Sequence, residues 1–452
     1  MMYKRWMEEY QNKLVTADEA VQVVKSGDWV EHAFGVNGAN ELDAALARRV
    51  DELHNVNIRC DIGVWPHYTS EADPTGEHFY WNSWHCGALD RKYYDAGLLS
   101  YIPMKFHECP VMTRNNCVPA QVFMATVSPM DKHGYFSFGA GCPSAIAAVE
   151  NAEYVLLEVN TNMPRVLGGN QESIHISQVD FVVESSNQPL PTIPDVQPSE
   201  TDKKIAGHIL NKIYDGCCIQ LGIGGIPNAI GNMIAESDLK DLGVHTEMYV
   251  DAYLKMSKAG KITGACKPID RYKQVFSFAM GSRELYEFID DNPGVIAYSV
   301  DYTNNPVIVA RINDFVSVNA CIEVDLFGQV CAESVGVRHI SGTGGQLDFV
   351  EGAYKAPGGQ SFICMTSTFE GKNGLVSRVK PTLASGSIVT DPRTAVHMIV
   401  TEYGIANMKG KSTWERAEEL IGIAHPDFRD ALVQEAQKMK IWRRSNKVST
   451  AS

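Results

Sequence analysis

Three features that would assign the chain to common classes of protein are scarce or missing. No hydrophobic run approaches the roughly 20 residues of a membrane-spanning helix, and the charged first ten residues lead us to expect no signal peptide. Basic residues number 40 against 54 acidic ones, for a formal net charge of −14. This charge argues against nucleic acid and anionic membranes as partners, because both attract a basic surface. A small anion needs only a local basic pocket and is not excluded.

Cysteine is present but lacks any regular spacing. The eleven cysteines are scattered along the chain and form no Cys-x-x-Cys pair. An odd number without a pattern argues against a disulfide framework and against a zinc site. We therefore predict reduced thiols, a cytoplasmic location and no metal site.

The remaining composition is that of a globular α/β protein. The chain has 452 residues, 44% hydrophobic and 21% charged, which excludes a disordered or fibrous protein. Strand-like and helix-like segments alternate in both halves, a pattern that predicts largely parallel sheets covered on both faces. One helix start is marked by the capping-box spacing of Thr16 and Glu19. Four prolines interrupt the alternation near residue 190. We predict two α/β domains, residues 1–190 and 202–452, joined by an extended linker at 191–201.

A first glycine cluster, at positions 222, 224 and 225, lies between a strand-like run and a helix-like run. Backbone N–H groups at such a turn can bind phosphate or carboxylate, and glycine allows the ligand to approach closely. A dinucleotide fingerprint would need a third glycine where Pro227 stands, so that reading fails. The spacing alone fits an anion-binding loop or a tight turn.

A second glycine cluster, at positions 342, 344 and 345, follows another apolar run. Leu347 breaks the dinucleotide spacing here as well. Backbone amides in this loop could bind a phosphate or act as an oxyanion hole. Two such loops in one half of a chain are more than a fold usually needs.

Glu247 lies in a short apolar run between the two glycine clusters. It could bind a ribose hydroxyl, act as a general base, or act as a nucleophile, since carboxylates form covalent intermediates. It could also be a hydrogen-bonded glutamate at the end of a strand, without a catalytic role. Residues 404–412 resemble a phosphate-binding loop, but five residues separate the glycines where four are required.

Several runs taken together resemble the acetyl-CoA hydrolase/transferase family. They are residues 220–229, 243–248, 340–349 and 401–406, with further matches at 128–136, 158–164, 416–421 and 424–429. The resemblance spans nearly the whole chain. It implies two α/β domains with the active site at the domain interface.

The resemblance also implies roles for individual residues. Glu247 matches a glutamate that becomes a glutamyl-CoA thioester. Asn304 matches an asparagine that helps to hold the oxyanion, with Asn305 beside it leaving the register open. Gly345 matches a glycine whose amide contacts the thioester region. The implied CoA-binding residues are Gly222, Ile223, Gly224, Gly225, Ile226, Asn319, Gly342, Gly345 and Lys372.

The reaction implied by the resemblance is transfer of CoA from a short-chain acyl-CoA, with butyryl-CoA as first choice, to acetate. Both acids would use Glu247 in turn, which predicts ping-pong kinetics. CoA is then a co-substrate, and exchanging one thioester for another requires no permanently bound cofactor. The alternatives are a 4-hydroxybutyrate or propionate CoA-transferase and a non-catalytic acyl-CoA-binding protein. The expected partners are acyl-CoA and a short-chain carboxylate, and the family suggests a homo-oligomer.

Overall fold

The computed structural model describes residues 2–194 and 196–443. Residue 195 of the predicted linker and residues 1 and 444–452 of the predicted domains lie outside this described part. Within it, no helix is both long enough and apolar enough to cross a bilayer.

The first half of the chain builds one large parallel sheet, and it also contains three short strands that belong to smaller sheets. Its strands are β1 (Trp29–His32), β2 (Val56–Cys60), β3 (Phe79–Ser83), β4 (Leu99–Tyr101), β5 (Val122–Val127), β6 (Tyr135–Ser137), β7 (Tyr154–Val159), β8 (Leu167–Asn170), β9 (Ser173–His175) and β10 (Phe181–Glu184). Its helices are α1 (Met2–Lys13), α2 (Ala17–Ala20), α3 (Asn40–Ala47), α4 (Tyr68–Ala72), α5 (Arg91–Asp95), α6 (Cys109–Asn115) and α7 (Ala145–Asn151). The seven-stranded sheet has the order β10-β7-β5-β1-β2-β3-β4, and every neighbouring pair is parallel.

Both faces of this sheet are buried, as expected for parallel strands. Strand β5 shows this directly, because Phe123 and Ala125 belong to one apolar cluster and Val122 and Met124 to another. Alternate side chains of a strand point to opposite faces, so the two clusters lie on opposite sides of the sheet.

The second half builds a six-stranded sheet with several small ones. Its strands are β11 (Cys218–Leu221), β12 (Gly243–Val244), β13 (Met248–Tyr249), β14 (Gln274–Phe276), β15 (Phe278–Ala279), β16 (Val295–Tyr298), β17 (Phe315–Ala320), β18 (Glu323–Asp325), β19 (Val330–Cys331), β20 (Ser334–Val335), β21 (Arg338–His339), β22 (Gln360–Cys364), β23 (Thr368–Gly371), β24 (Gly374–Ser377), β25 (Val379–Lys380), β26 (Met398–Thr401) and β27 (Gly404–Asn407). Its helices are α8 (Glu200–Leu210), α9 (Gly225–Glu236), α10 (Asp251–Lys258), α11 (Arg283–Ile289), α12 (Val300–Thr303), α13 (Pro306–Val309), α14 (Gln346–Lys355), α15 (Thr413–Gly422) and α16 (Pro426–Lys438). The six-stranded sheet has the order β12-β11-β17-β22-β26-β27, and only its β26–β27 pair is antiparallel.

The two halves are joined by shared structure as well as by the chain. Strand β8 of the first half pairs with β16 of the second in a small three-stranded sheet. The largest apolar cluster also draws on both halves, and the rings of Phe34 and Phe278 lie 4.5 Å apart within it. Among the described residues between 185 and 199 there is no helix or strand. The predicted α/β class with largely parallel sheets is confirmed, and the proposed domain boundaries remain a prediction.

Candidate active site

A cleft lies at the carboxyl ends of strands β11, β17 and β22. Its volume is about 1140 Å³, including the space at its mouth that is open to solvent. Ligands of open parallel sheets bind at this edge, where the connecting loops converge. The first turn of α9 and the glycine loop 341–346 form its walls in the second half. The first half contributes Ile62 and His85, so both halves line the cleft.

Glu247 lies in the short segment that connects strands β12 and β13, and it lines the wall of this cleft. Its backbone carbonyl accepts hydrogen bonds from the N–H groups of Ser277 and Phe278, at 3.0 and 3.1 Å. These bonds fix the backbone, so that the half-buried carboxyl group stays directed into the cleft.

Asn304 is the side-chain hydrogen-bond donor to that carboxyl group. Its Nδ2 donates to Glu247 Oε2 at 2.5 Å, and the asparagine itself is fully buried. The Thr303 hydroxyl donates to Asn304 Oδ1 at 3.0 Å, which orients the amide with its NH₂ group toward the glutamate. His245 Nε2 lies 2.8 Å from the carbonyl oxygen of Thr303. Burial lowers the pKa of His245 to about 3, so the ring is neutral and donates from Nε2.

The two neighbouring asparagines, between which the sequence left the register open, make different contacts. Asn305 turns away from Glu247 and caps helix α13, where its Oδ1 accepts from the N–H of Val307 at 3.0 Å. Its Nδ2 donates to the carbonyl of Asp301 at 3.2 Å. Of the two asparagines, only Asn304 contacts the glutamate.

The backbone amide of Gly345 favours the carboxylate form of Glu247, and Gly345 is also the N-cap residue of α14. A Cβ at this position would overlap both Glu247 Oε2 and Asn304 Nδ2, so glycine is required for the approach. The N-terminus of a ten-residue helix adds a positive partial charge beside the carboxylate.

Burial raises the pKa of Glu247 to about 7. The hydrogen bond from Asn304 opposes this shift, the nearby charge of Asp348 adds to it, and the Gly345 amide opposes it. Near neutral pH the group is therefore divided between acid and carboxylate. The carboxylate form is poorly hydrated and held by two donors, which is the arrangement of a preorganised nucleophile.

Most of the other predicted CoA-binding residues lie in the same cleft. The structure places there Gly222, Ile223, Ile226, Asn319 and Gly342. Gly224 and Gly225 are outside the cleft lining: Gly224 has a φ of 113° at the start of α9, and Gly225 abuts the Asp202 side chain. Lys372 is exposed at the tip of the β23–β24 hairpin, away from the lining residues.

Sequence analysis missed several residues of this cleft. Gln220 is one of them, and it exchanges side-chain hydrogen bonds of 3.3 and 3.2 Å with the predicted residue Asn319 on the neighbouring strand. The signal for Gln220 was present, since a polar residue in an apolar run just before a glycine turn is unusual. His85 lies 3.1 Å from the Ser341 hydroxyl, and no pattern in the sequence linked those two segments.

Over residues 2–194 and 196–443, no three histidine, cysteine, aspartate or glutamate side chains are grouped so that they could hold a metal ion.

A carboxylate that faces a cleft between two α/β halves, with amide donors at its oxygens, is the arrangement expected of a CoA-transferase. Comparison with known families supports this class. The N-terminal domain of the acetyl-CoA hydrolase/transferase family matches residues 2–194, and its C-terminal domain matches residues 281–436. The chain belongs to this family. The predicted family and enzyme class are thereby confirmed.

Several named relatives match this chain along almost their whole length. The chain is 66% identical to a probable butyrate:acetyl-CoA coenzyme A-transferase of Syntrophomonas wolfei, covering 99% of this chain and 100% of the relative. It is 54% identical to the butyryl-CoA:acetate CoA-transferase of Anaerostipes caccae, covering 97% and 99%. Among solved structures, RipA from Yersinia pestis has a TM-score of 0.89 at 35% identity, covering 96% of this chain and 99% of RipA. A 4-hydroxybutyrate CoA-transferase from Porphyromonas gingivalis has a TM-score of 0.78 at 33% identity, covering 96% and 100%.

Proposed function

We propose that the enzyme transfers CoA from butyryl-CoA to acetate through a covalent thioester on Glu247. The observation that carries the proposal is the placement of the Glu247 carboxyl group between Asn304 Nδ2 and the Gly345 amide, at the wall of the cleft. The names of the relatives at 66% and 54% identity support butyryl-CoA and acetate as the substrates.

The first half-reaction loads CoA onto the enzyme. The Glu247 carboxylate attacks the thioester carbonyl of butyryl-CoA, the C–S bond breaks, and a mixed butyryl-glutamyl anhydride forms with free CoA thiolate. The thiolate then attacks the glutamyl carbonyl, releasing butyrate and leaving the glutamyl-CoA thioester. Acetate attacks this thioester, and the same steps in reverse produce acetyl-CoA and the free carboxylate.

Asn304 and Gly345 have a defined part in these steps. Asn304 donates to Glu247 Oε2, and the Gly345 amide also favours the negative charge on this group. Both are therefore placed to hold the oxyanion that develops on the glutamyl carbon when the thiolate or acetate attacks. One such preorganised donor lowers a barrier by about 3 kcal/mol in other acyl-transfer enzymes. The same donors stabilise the carboxylate before reaction, so the burial that raises its pKa is partly offset.

The test is direct detection of the intermediate. Incubation with butyryl-CoA in the absence of acetate is expected to add the mass of CoA, less one water, to the peptide containing Glu247. Borohydride should reduce the same residue to an alcohol, and Glu247→Gln should show neither modification. The variant is also expected to lose exchange of label between acetate and acetyl-CoA.

An unmodified Glu247 in the wild-type enzyme, under conditions where transfer is measurable, would contradict the covalent route. Saturable CoA binding without any exchange would instead identify a non-catalytic acyl-CoA-binding protein.

The preferred acyl group is a separate question, because one methylene in a pocket alters discrimination by only about 1–3 kcal/mol. A panel of butyryl-, propionyl-, 4-hydroxybutyryl- and acetyl-CoA with acetate as acceptor ranks the donors by kcat/KM. The proposal expects butyryl-CoA first. The 40% identical 4-hydroxybutyrate coenzyme A transferase of Clostridium kluyveri makes 4-hydroxybutyryl-CoA the main competitor.

Three further proposals concern the molecule as a whole, and only the last of them comes from the family resemblance. We propose that residues 1–190 and 202–452 form two domains joined by 191–201, that the enzyme is cytoplasmic, and that it assembles as a homo-oligomer. Light scattering after size exclusion measures the assembly.

A further inference from the structure

A short segment of the first half is fastened to the loop that supplies the Gly345 amide. The backbone N–H of Phe106 donates to the carbonyl of Gly344 at 3.2 Å. The next residue, His107, makes two contacts to one side chain: its backbone N–H donates to Asp348 Oδ2 at 3.0 Å, and its Nδ1 lies 2.7 Å from Asp348 Oδ1. Three hydrogen bonds therefore tie residues 106–107 to the start of α14.

Asp348 is suited to this attachment by its position. It lies in the first turn of α14, three residues beyond Gly345, and its side chain is fully buried. Both carboxyl oxygens are used by His107, and the helix N-terminus favours a negative charge at this place. A shift of Asp348 would move the turn that carries the Gly345 amide.

The same segment also touches the element that carries the second donor. The 3-10 turn Phe106–Glu108 packs against helix α12, which leads directly into Asn304. One stretch of the first half thus contacts both structures that donate hydrogen bonds to Glu247.

The electrostatic interaction between His107 and Asp348 favours a stable contact between the two side chains. Burial disfavours the charged ring of His107, but its hydrogen bond with Asp348 and the charge of that residue raise its pKa above the ordinary value. Burial raises the pKa of Asp348, and the bonds from His107 oppose that shift. The acidic groups near Glu247 are Asp348 and Asp61, and each interacts electrostatically with it.

We propose that His107 and Asp348 are a positioning pair that holds the Gly345 amide and Asn304 beside the carboxyl group of Glu247. The first half of the chain then serves catalysis by fixing the geometry of the oxyanion site in the second half. This inference rests on the proposed covalent function of Glu247.

The test compares His107→Leu, His107→Asn and the control Lys105→Met. Leucine removes the Nδ1 donor, whereas the asparagine NH₂ can occupy nearly the same place. Lys105 belongs to the same segment, but its contact is a partly exposed ion pair with Glu351 at 3.3 Å. The measurements are the single-turnover rate of glutamyl-CoA formation, the KM for butyryl-CoA and the thermal midpoint.

His107→Leu is expected to slow glutamyl-CoA formation about 10- to 100-fold, the usual cost of a small misplacement of reacting groups, with KM changed less than about threefold. His107→Asn should recover most of the rate, and Lys105→Met should stay within about twofold of the wild type, as for an exposed ion pair. Asp348→Asn should also move the acidic limb of the pH–rate profile to lower pH, because the charge of Asp348, which raises the pKa of Glu247, is removed.

The positioning role would be overturned if His107→Leu formed glutamyl-CoA at the wild-type rate and Asp348→Asn had the wild-type pH profile. So would a His107→Asn variant that is as slow as His107→Leu at an unchanged thermal midpoint. If the wild-type enzyme itself fails to form glutamyl-CoA, the proposed function fails, and that result is distinct from either of these.

Discussion

At the scale of single residues, the reactivity of Glu247 reflects two opposed effects on one carboxyl group. Burial and the charge of Asp348 disfavour the carboxylate, whereas the donors Asn304 and Gly345 favour it. A fully hydrated glutamate would be ionised at neutral pH but surrounded by water that must be displaced before attack. The cleft replaces that water with two fixed donors, so little reorganisation is left for the reaction itself.

The pH dependence of the reaction follows from this balance. Because the pKa of Glu247 is raised to about 7, the proposed nucleophile is mostly protonated below that value and mostly carboxylate above it. We expect kcat/KM for butyryl-CoA to rise with pH through about 7 and to level off near pH 8. Stopped-time assays from pH 5.5 to 8.5 at constant ionic strength measure the limb. A rate that is flat over this range would contradict a titrating nucleophile in the free enzyme.

At the scale of secondary-structure elements, the glycine loop and helix α14 act as one unit. The loop brings a backbone amide to the carboxylate, and the helix that follows directs its N-terminus toward the same point. The close approach is possible because position 345 has no side chain. The structure thus explains why position 345 in the second glycine cluster is occupied by glycine. For the first glycine cluster it gives such an explanation only in part.

Substitution of this glycine should separate chemistry from folding. Gly345→Ala places a methyl group into the space of Glu247 Oε2 and Asn304 Nδ2, and we expect glutamyl-CoA formation to fall at least 100-fold, as when an oxyanion donor is lost. The control is Gly207→Ala, because this glycine lies inside helix α8 with open space around its α carbon. The control should keep full activity with a slightly higher thermal midpoint. Equal activity of the two variants would show that the amide contact is not needed.

At the scale of the whole molecule, the halves hold together through apolar contacts and shared strands. The common core joins Phe34 and Phe106 of the first half to Phe278 of the second. An exposed ion pair between Asp95 and Arg338 also crosses between the halves, with N–O distances of 2.7 and 2.6 Å. Exposed pairs contribute little, since water solvates both partners well when they are apart.

These two kinds of contact should respond differently to mutation. Phe278→Ala is expected to lower the free energy of unfolding by about 3–5 kcal/mol, because it leaves a cavity in the shared core. Asp95→Ala should leave both the thermal midpoint and transfer activity unchanged. Denaturant unfolding and steady-state assays on both variants check this. A loss of stability in Asp95→Ala as large as that in Phe278→Ala would mean that the ion pair holds the halves together.

Much of the fold could be read from local patterns. The capping box of Thr16 and Glu19 is present, with N–O distances of 3.2 and 2.9 Å between each side chain and the other's amide. The buried runs of β5, β7 and β17 form strands, in agreement with the predicted alternation of strand-like and helix-like segments. The linker prolines lie in the stretch 185–199, whose described residues include no helix or strand. The sharing of β8 with a sheet of the second half could not be predicted, because strand pairing between distant segments leaves no local signature.

The sequence by itself determined many of the elements and the family, and it made Glu247 a candidate, because hydrophobic periodicity, turn residues and motif spacing are properties of neighbouring residues. Only the tertiary structure decided that Asn304 rather than Asn305 contacts Glu247, and that His107 of the first half binds Asp348 of the second. Those contacts depend on how separate elements pack in space, and side chains 57 and 241 positions apart have no fixed relation until they do.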